Sequence, residues 1–440
     1  MKKTTLYIQG ARVIDPAAGL DRTMNLLVEE GILKPAPPTP PPGIPVLTGD
    51  GHVVTPGLID IHVHLREPGG EQAETIETGS RAAARGGFTT IVAMPNTTPP
   101  LDTPELTRWV LEQGRAAGHA QVLPAPCITV GRAGLAVADL RAMAEAGAAA
   151  FTDDGCTVQD DAVMAEAMRL ARELDVTIMD HAQDRNIELQ GGVMHEGEVS
   201  RRFGLPGIPT LAEARTIARD IRLAEETGCA VHIQHVTSRE GVDEIRAARQ
   251  KGLRVSGELS PHHLALADTD IDADDADYKM NPPLRSEEDR EALRAALLDG
   301  TLELFATDHA PHPAARKAEG FLTAPFGVVG LETAVGVTYT ELVAPGLMDL
   351  RTFVERWTVK PARVLGLAEP TLREGAPANL TVLDLHSPWV VQPEAFASLS
   401  RNTPFKGRTL TGRAVLTCCN GITTWQSSGP GMSVDTTRSA

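Results

Sequence analysis

The sequence predicts an α/β fold: a (β/α)8 barrel of the TIM type with a small flanking β-sandwich formed by both termini. Between residues 58 and 310, eight short apolar segments alternate with longer Ala-, Leu-, Glu- and Arg-rich stretches. In those stretches, such as DAVMAEAMRLARELD and LAEARTIARDIRLAEETG, apolar residues recur every three or four positions, the period of an amphipathic helix. Short buried strands alternating with helices form parallel sheets, closed as a barrel or open as a doubly wound fold. The two ends of the chain show neither feature and read instead as short alternating strands.

Residues 1–56 offer "TLYIQGARVID" and "GHVVTPG", separated by the proline-rich "KPAPPTPPPGIP", which favours an extended, solvated link. Residues 57–365 hold the barrel candidates LIDIHVHL (58–65), TTIVAMPN (89–96), QVLPAPCIT (121–129), AAAFTDD (148–154), VTIMDHA (176–182), AVHIQHVT (230–237), RVSGELS (254–260) and LELFATDHA (302–310). From 366 to 425 the chain turns β-like again with "ANLTVLDL", "SPWVV" and "GRAVLTCCNGITTW", so residues 1–56 and 366–425 are expected to share one sandwich. The last stretch, 426–440, lacks apolar periodicity and reads as a disordered tail.

Charge narrows the partners. Against 41 Lys and Arg stand 58 Asp and Glu, a net of −17 over 440 residues, which disfavours nucleic acid and anionic membranes. The start shows no apolar leader and no run is long enough to span a bilayer, so the cytoplasm is the expected compartment. Cys127, Cys156, Cys229, Cys418 and Cys419 show no metal or disulfide spacing and read as reduced and mostly packed.

The chemistry lies at the strand ends. His62 and His64 close the first candidate strand, Asp153 and Asp154 the fourth, His181 the fifth, His235 the sixth, and Asp308 with His309 the eighth. The C-terminal ends of barrel strands form one mouth, where these residues meet although far apart in sequence. Several histidines with carboxylates at one mouth suit a divalent-metal site, binuclear if a carboxylate is shared. Singly, each residue has a plainer reading: a strand-end hydrogen-bonding pair for His62 and His64, a packed histidine for His181 or His235, turn chemistry for Asp154 before glycine. Their conjunction at one pole favours metal. His52, His119, His195, His232, His262, His263 and His386 read as structural or surface residues.

The segments "PGLIDIHVHLREPG", "TTIVAMPNT", "AFTDDG", "SPHHL", "YKMNPPLRSEEDR", "FATDHAPH", "PFGVVGLE" and "SRNTPFKG" resemble the class I dihydroorotases of the amidohydrolase superfamily, from about residue 5 to about 425. The resemblance implies the barrel with its β-sandwich, two Zn2+ per subunit, and the reversible cyclisation of N-carbamoyl-L-aspartate to (S)-dihydroorotate in pyrimidine synthesis. It makes His62, His64 and Asp308 ligands of one ion, and His181 and His235 ligands of the other. Many relatives bridge the ions with a carboxylated lysine, yet no lysine lies between Lys34 and Lys251. An aspartate must serve, and Asp154, 27 residues before His181, is preferred to Asp153.

The same resemblance assigns Arg66, Asn96, Asn281 and His312 to substrate, with His64 and backbone groups of Phe326 and Gly327. Their plainer readings are an ion pair with Glu67 for Arg66, a turn residue for Asn96 and a cap for Asn281. Hydroxide attack on the ring amide is expected, from a water bridging two cations that depress its pKa, with Asp308 as general acid and base. The segment 311–330 is expected to cover the substrate. A homodimer and association with aspartate transcarbamoylase are the partners the resemblance allows. Hydantoinases, dihydropyrimidinases and allantoinases are the nearest alternatives, disfavoured by the missing lysine and by Arg66 and Asn96. A catalytically silent partner of the transcarbamoylase is the other, disfavoured because every ligand is retained.

Overall fold

The computed structural model describes residues 2–187 and 191–427. It is a (β/α)8 barrel with a flanking β-sandwich, as the alternation of apolar and amphipathic segments predicts. Leu58–Val63 pairs in parallel with Phe88–Ala93, which pairs with Gln121–Pro124. A second parallel run joins Ile178–Asp180, Val231–Ile233, Val255–Leu259 and Leu304–Phe305. These strands are short and buried along almost their whole length, as apolar strands between a helical layer and a barrel interior must be.

Two irregular joints close the ring. AAAFTDD does not form the full strand expected of it: a single parallel bridge links Phe151 to Ile178, while Ala149 and Thr152 donate to the carbonyls of Pro124 and Pro126. Three small alanines and an Asp pair leave little side-chain area to hold a longer ladder there. On the other side His64 N donates to His309 O at 2.8 Å, and Val63 bridges His309. Several of the helices begin on side-chain caps and end on left-handed glycines. Ile76–Gly86 starts on Thr75, whose hydroxyl accepts from Thr78 N, and stops at left-handed Gly87.

The termini build one sheet. Leu6–Asp15 pairs with Leu20–Glu29 and His52–Pro56, and His52–Pro56 pairs in turn with Leu380–Val390, which carries Thr409–Cys419 and Ile422–Gln426 beside it. Its core joins Ile8, Val13, Leu47 and Val54 to Val382 and Leu416. The proline-rich link bridges Ile32–Lys34 and Val46–Thr48, with Pro37 O accepting from the Tyr7 hydroxyl at 2.6 Å. All five cysteines are free, and four are buried. Vicinal Cys418 and Cys419 point opposite ways, to Thr4 Oγ1 and to Thr89 O. Among the described residues no helix is long and apolar enough to cross a membrane. The tail expected to be disordered lies, from residue 428, outside the described residues.

Candidate active site

All six predicted ligands converge at the C-terminal ends of the barrel strands, His62 within the last residues of its strand and the others just beyond theirs. Donor atoms of His62, His64 and Asp154 lie within 4.8 Å of one another, as do those of Asp154, His181 and His235. Asp154 belongs to both groups: its Oδ1 is 3.3 Å from His62 Nε2 and 3.7 Å from His181 Nδ1, and its Oδ2 is 3.6 Å from His64 Nε2. Asp308 Oδ1 sits 3.0 Å from His64 Nε2 and 3.5 Å from His62 Nε2. His181 Nδ1 and His235 Nε2 face each other at 2.9 Å. Among the described residues, the ion-pair partners of Asp154 and Asp308 are histidines alone. Burial opposes the Asp154 charge, yet His64, His181 and His62 hold its carboxyl well below the usual range.

Asp153 points elsewhere. Its carboxylate accepts from Ile128 N at 2.8 Å, Thr129 N at 3.1 Å and the Thr129 hydroxyl, fixing the loop after the third barrel strand. Burial raises its pKa to about 6. His309 also turns away from the cluster, toward Glu74 and the Gly330 backbone.

A residue that the strand-end pattern does not reveal supports the cluster from below. Glu258 accepts from His62 Nδ1 at 2.6 Å, from His232 Nε2 at 3.0 Å and from His235 N at 3.0 Å. An acceptor on Nδ1 fixes the imidazole so that Nε2 presents its lone pair to the mouth. Burial works against the Glu258 charge, but His62 and His232 hold its pKa down to about 2. His232, read as merely structural, is thus tied to the site through this carboxylate. On the other flank, Gln183 Oε1 meets His181 Nε2 at 2.9 Å and accepts from Asn281 Nδ2 at 2.8 Å.

The substrate-side residues line one cavity of about 320 Å³ together with His64, Asp154, His181, His235 and Asp308. Arg66 does not pair with Glu67, whose carboxylate caps Ile76 N instead. Its Nε donates to Pro311 O at 3.2 Å and an Nη lies 3.2 Å from His312 Nε2, while burial lowers its pKa to about 10. Asn96 Oδ1 is 2.8 Å from His64 Nδ1. His312 Nε2 donates to Phe326 O at 2.7 Å, and burial, then Arg66, pushes its pKa down to about 3. Asn281 keeps a buried Oδ1 with no protein partner, and Phe326 and Gly327 form the adjoining wall. Arg66, His235 and Asp308 all hold left-handed backbone, with φ of 61°, 28° and 47°. Non-glycine residues rarely adopt it, and such positions gather at functional sites.

A barrel whose mouth gathers four imidazoles and two buried carboxylates has the architecture of the amidohydrolase class. The family profile described as "Dihydro-orotase-like" matches residues 51–241. Curated dihydroorotases of Bacillus caldolyticus and Geobacillus kaustophilus are each 50% identical over 381 residues, covering 87% of this chain and 89% of theirs. Among solved structures, the L-hydantoinase (dihydropyrimidinase) from Arthrobacter aurescens superposes with a TM-score of 0.83 at 26% identity, covering 98% of this chain and 97% of its own. A D-hydantoinase from Thermus sp. gives 0.79 at 24%, covering 96% and 95%, a likeness of fold. The chain belongs to the dihydroorotase family.

Proposed function

We propose that this chain catalyses the reversible ring closure of N-carbamoyl-L-aspartate to (S)-dihydroorotate, as a cyclic amidohydrolase of the cytoplasm that uses two zinc ions. The observation that carries the reading is Asp154, shared by two donor groups in a cavity that also holds Arg66, Asn96, Asn281 and His312. The donor set suits the metal: imidazole nitrogens and carboxylate oxygens, buried and without Lys or Arg ion pairs, match zinc preferences. His62, His64 and Asp308 would hold one ion, His181 and His235 the other, with Asp154 between them. Divalent cations bound there supply Lewis acidity, which polarises an amide or carboxyl carbonyl and makes hydroxide available near neutral pH.

The chain's own residues do the remainder. Arg66 offers a planar fork to the carboxylate that stays outside the ring, flanked by Asn96 and His312. Asn281, with its free Oδ1, can accept from a ring N–H, and the backbone of Phe326 and Gly327 closes over the ring. Holding the open chain folded removes entropy from the closing step. Asp308 carries the proton: in hydrolysis it takes one from the attacking water and delivers it to the departing ring nitrogen, and closure runs in reverse. Residues 57–365 are read as the catalytic barrel and residues 1–56 with 366–425 as one sandwich unit; the pairing of His52–Pro56 with Leu380–Val390 supports that division.

The test is one assay panel on purified protein: carbamoyl aspartate, dihydroorotate, hydantoin and allantoin, before and after chelation and after zinc is restored. Turnover of the first two alone, lost on chelation and regained with zinc, is expected. Undiminished turnover in the chelated protein, or preference for hydantoin, would overturn the reading.

A further inference from the structure

A second guanidinium borders the same cavity. Arg132 lines it beside Gly155 and Asp154, and it is not among the residues assigned above to substrate. It is presented with care. The short turn Val130–Arg132 places both Gly131 and Arg132 in left-handed backbone, with φ of 64° and 54°. Glycine adopts this freely, whereas arginine does so at a cost. Asp153 anchors the start of that loop through Ile128 N and Thr129 N, Thr129 Oγ1 accepts from Gly134 N at 2.9 Å, and Asp102 accepts from Gly131 N at 2.8 Å.

For all this support, the guanidinium makes no ion pair among the described residues, although its charge is felt by the Asp153 carboxylate, which the loop amides hold. One Nη donates to Cys156 Sγ at 3.0 Å, a weak acceptor, and its Nε is buried with no protein partner. Several other arginines of this acidic chain are paired with carboxylates, Arg219 with Asp220 at 2.7 Å, Arg222 with Asp161 at 2.5 Å and Arg294 with Glu341 at 2.5 Å, while buried Arg285 and Arg356 spend their N–H groups on hydroxyl and carbonyl oxygens instead. A guanidinium that lines the cavity beside Asp154 and Gly155 without an ion pair, in a cavity that Arg66 and His312 also line, is a place for a second carboxylate.

Resting on the dihydroorotase reading, the geometry points to Arg132 as the residue that binds the carboxylate consumed in ring closure, and so as a determinant of affinity for the open-chain dianion. The chemistry makes the two substrates unequal. Carbamoyl aspartate carries two carboxylates. On closure its ureido NH2 nitrogen bonds to one carboxyl carbon and gives up one proton, a C–O bond of that carboxylate breaks, the oxygen leaves as water with that proton and one added from outside, and the ring product keeps a single negative charge. Arg132 therefore grips the open chain and loses its partner in the product, while Arg66 keeps the remaining carboxylate throughout.

The test is kinetics in both directions on the zinc-loaded protein, with Arg132→Met and Arg132→Lys. Loss of a charge-assisted pair raises KM for carbamoyl aspartate by about tenfold or more in Arg132→Met. With kcat for closure unchanged, the fixed equilibrium constant requires kcat/KM for opening to fall by the same factor, and because dihydroorotate lacks the carboxylate that Arg132 grips, that fall is in kcat with KM for dihydroorotate nearly unchanged. Arg132→Lys, which retains charge without the fork, gives a smaller KM rise and keeps the proposal testable should the methionine variant fold poorly. Raised ionic strength should raise the wild-type KM for the dianion more steeply than that of Arg132→Met. An unaltered KM for carbamoyl aspartate, or KM values rising equally in both directions, overturns the assignment. A wild-type protein with no turnover of either substrate would instead refute the dihydroorotase reading itself.

Discussion

Asp153 and Asp154 are adjacent in the chain and face different tasks, because successive residues at a strand end point to opposite sides. Asp154 turns to the imidazoles and Asp153 to the amides of the next loop. Replacing Asp154 by Ala is expected to abolish stoichiometric zinc binding, measured by elemental analysis after dialysis. Asp153→Ala should retain zinc but strand the buried Ile128 and Thr129 N–H groups, at about 2–4 kcal/mol in chemical denaturation. Zinc retained by the first variant and lost by the second would reverse the assignment. Arg66→Met is expected to raise KM with zinc content intact, since its guanidinium touches Pro311 O and His312 rather than the donor cluster. At this scale the strand ends announce the six donors together with Asp153 and His309, and the family resemblance, not the pattern, separates the six from those two. Glu258 was not legible: it sits 196 residues from His62, inside an apolar strand, and only the closed barrel brings its carboxylate under the imidazole.

At the scale of elements, seven of the eight barrel strands were legible as apolar runs, while AAAFTDD reduces to one bridge at Phe151. The segment 311–330 was legible as a loop expected to cover the substrate, but what positions it, a buried lysine, was not. Lys317 Nζ donates to Gly327 O at 2.9 Å, Pro325 O at 3.1 Å and Lys279 O at 3.2 Å, tying the wall around Phe326 to the segment that carries Asn281. Burial lowers its pKa to about 8, against the opposing pull of Asp277 and Asp275 and with repulsion from Lys279. The unfolded chain holds this proton up to its ordinary value near 10.5, so folding releases it between about pH 8 and 10.5. Its contribution to stability is therefore full above that window and is lost as pH falls through 8. Unfolding titrations across this range should show a rise in wild-type stability that Lys317→Met lacks; parallel curves would show the lysine to be unperturbed.

At the scale of the whole molecule, the C-terminal segment is more than an added sheet, because it returns to the barrel mouth. The carboxylate of Glu74 accepts from the Ser398 hydroxyl and from Leu399 N, and Glu332 accepts from Ala397 N and Ser398 N. These contacts deliver Asn402 to the substrate wall. Its Oδ1 accepts from His312 N at 3.0 Å, and its Nδ2 donates to Gly327 O at 2.9 Å and Ala310 O at 3.1 Å. One amide thus fixes the backbone of His312 and of Gly327, whose φ of 140° leaves no room for a side chain against Ala310. Asn402→Ala leaves His312 N and Ala310 O without this partner in a buried place, at about 1–3 kcal/mol for each unsatisfied group. The wall should then loosen while the donor cluster, held by Glu258 and Gln183, stays in place. KM is expected to rise several-fold with zinc stoichiometry unchanged and the melting temperature lowered. Asn402→Asp keeps the acceptor for His312 N but sets an anion against two carbonyls, so it should impair binding at least as strongly. Unchanged KM in both variants would detach the C-terminal segment from the site and leave it a role in stability alone.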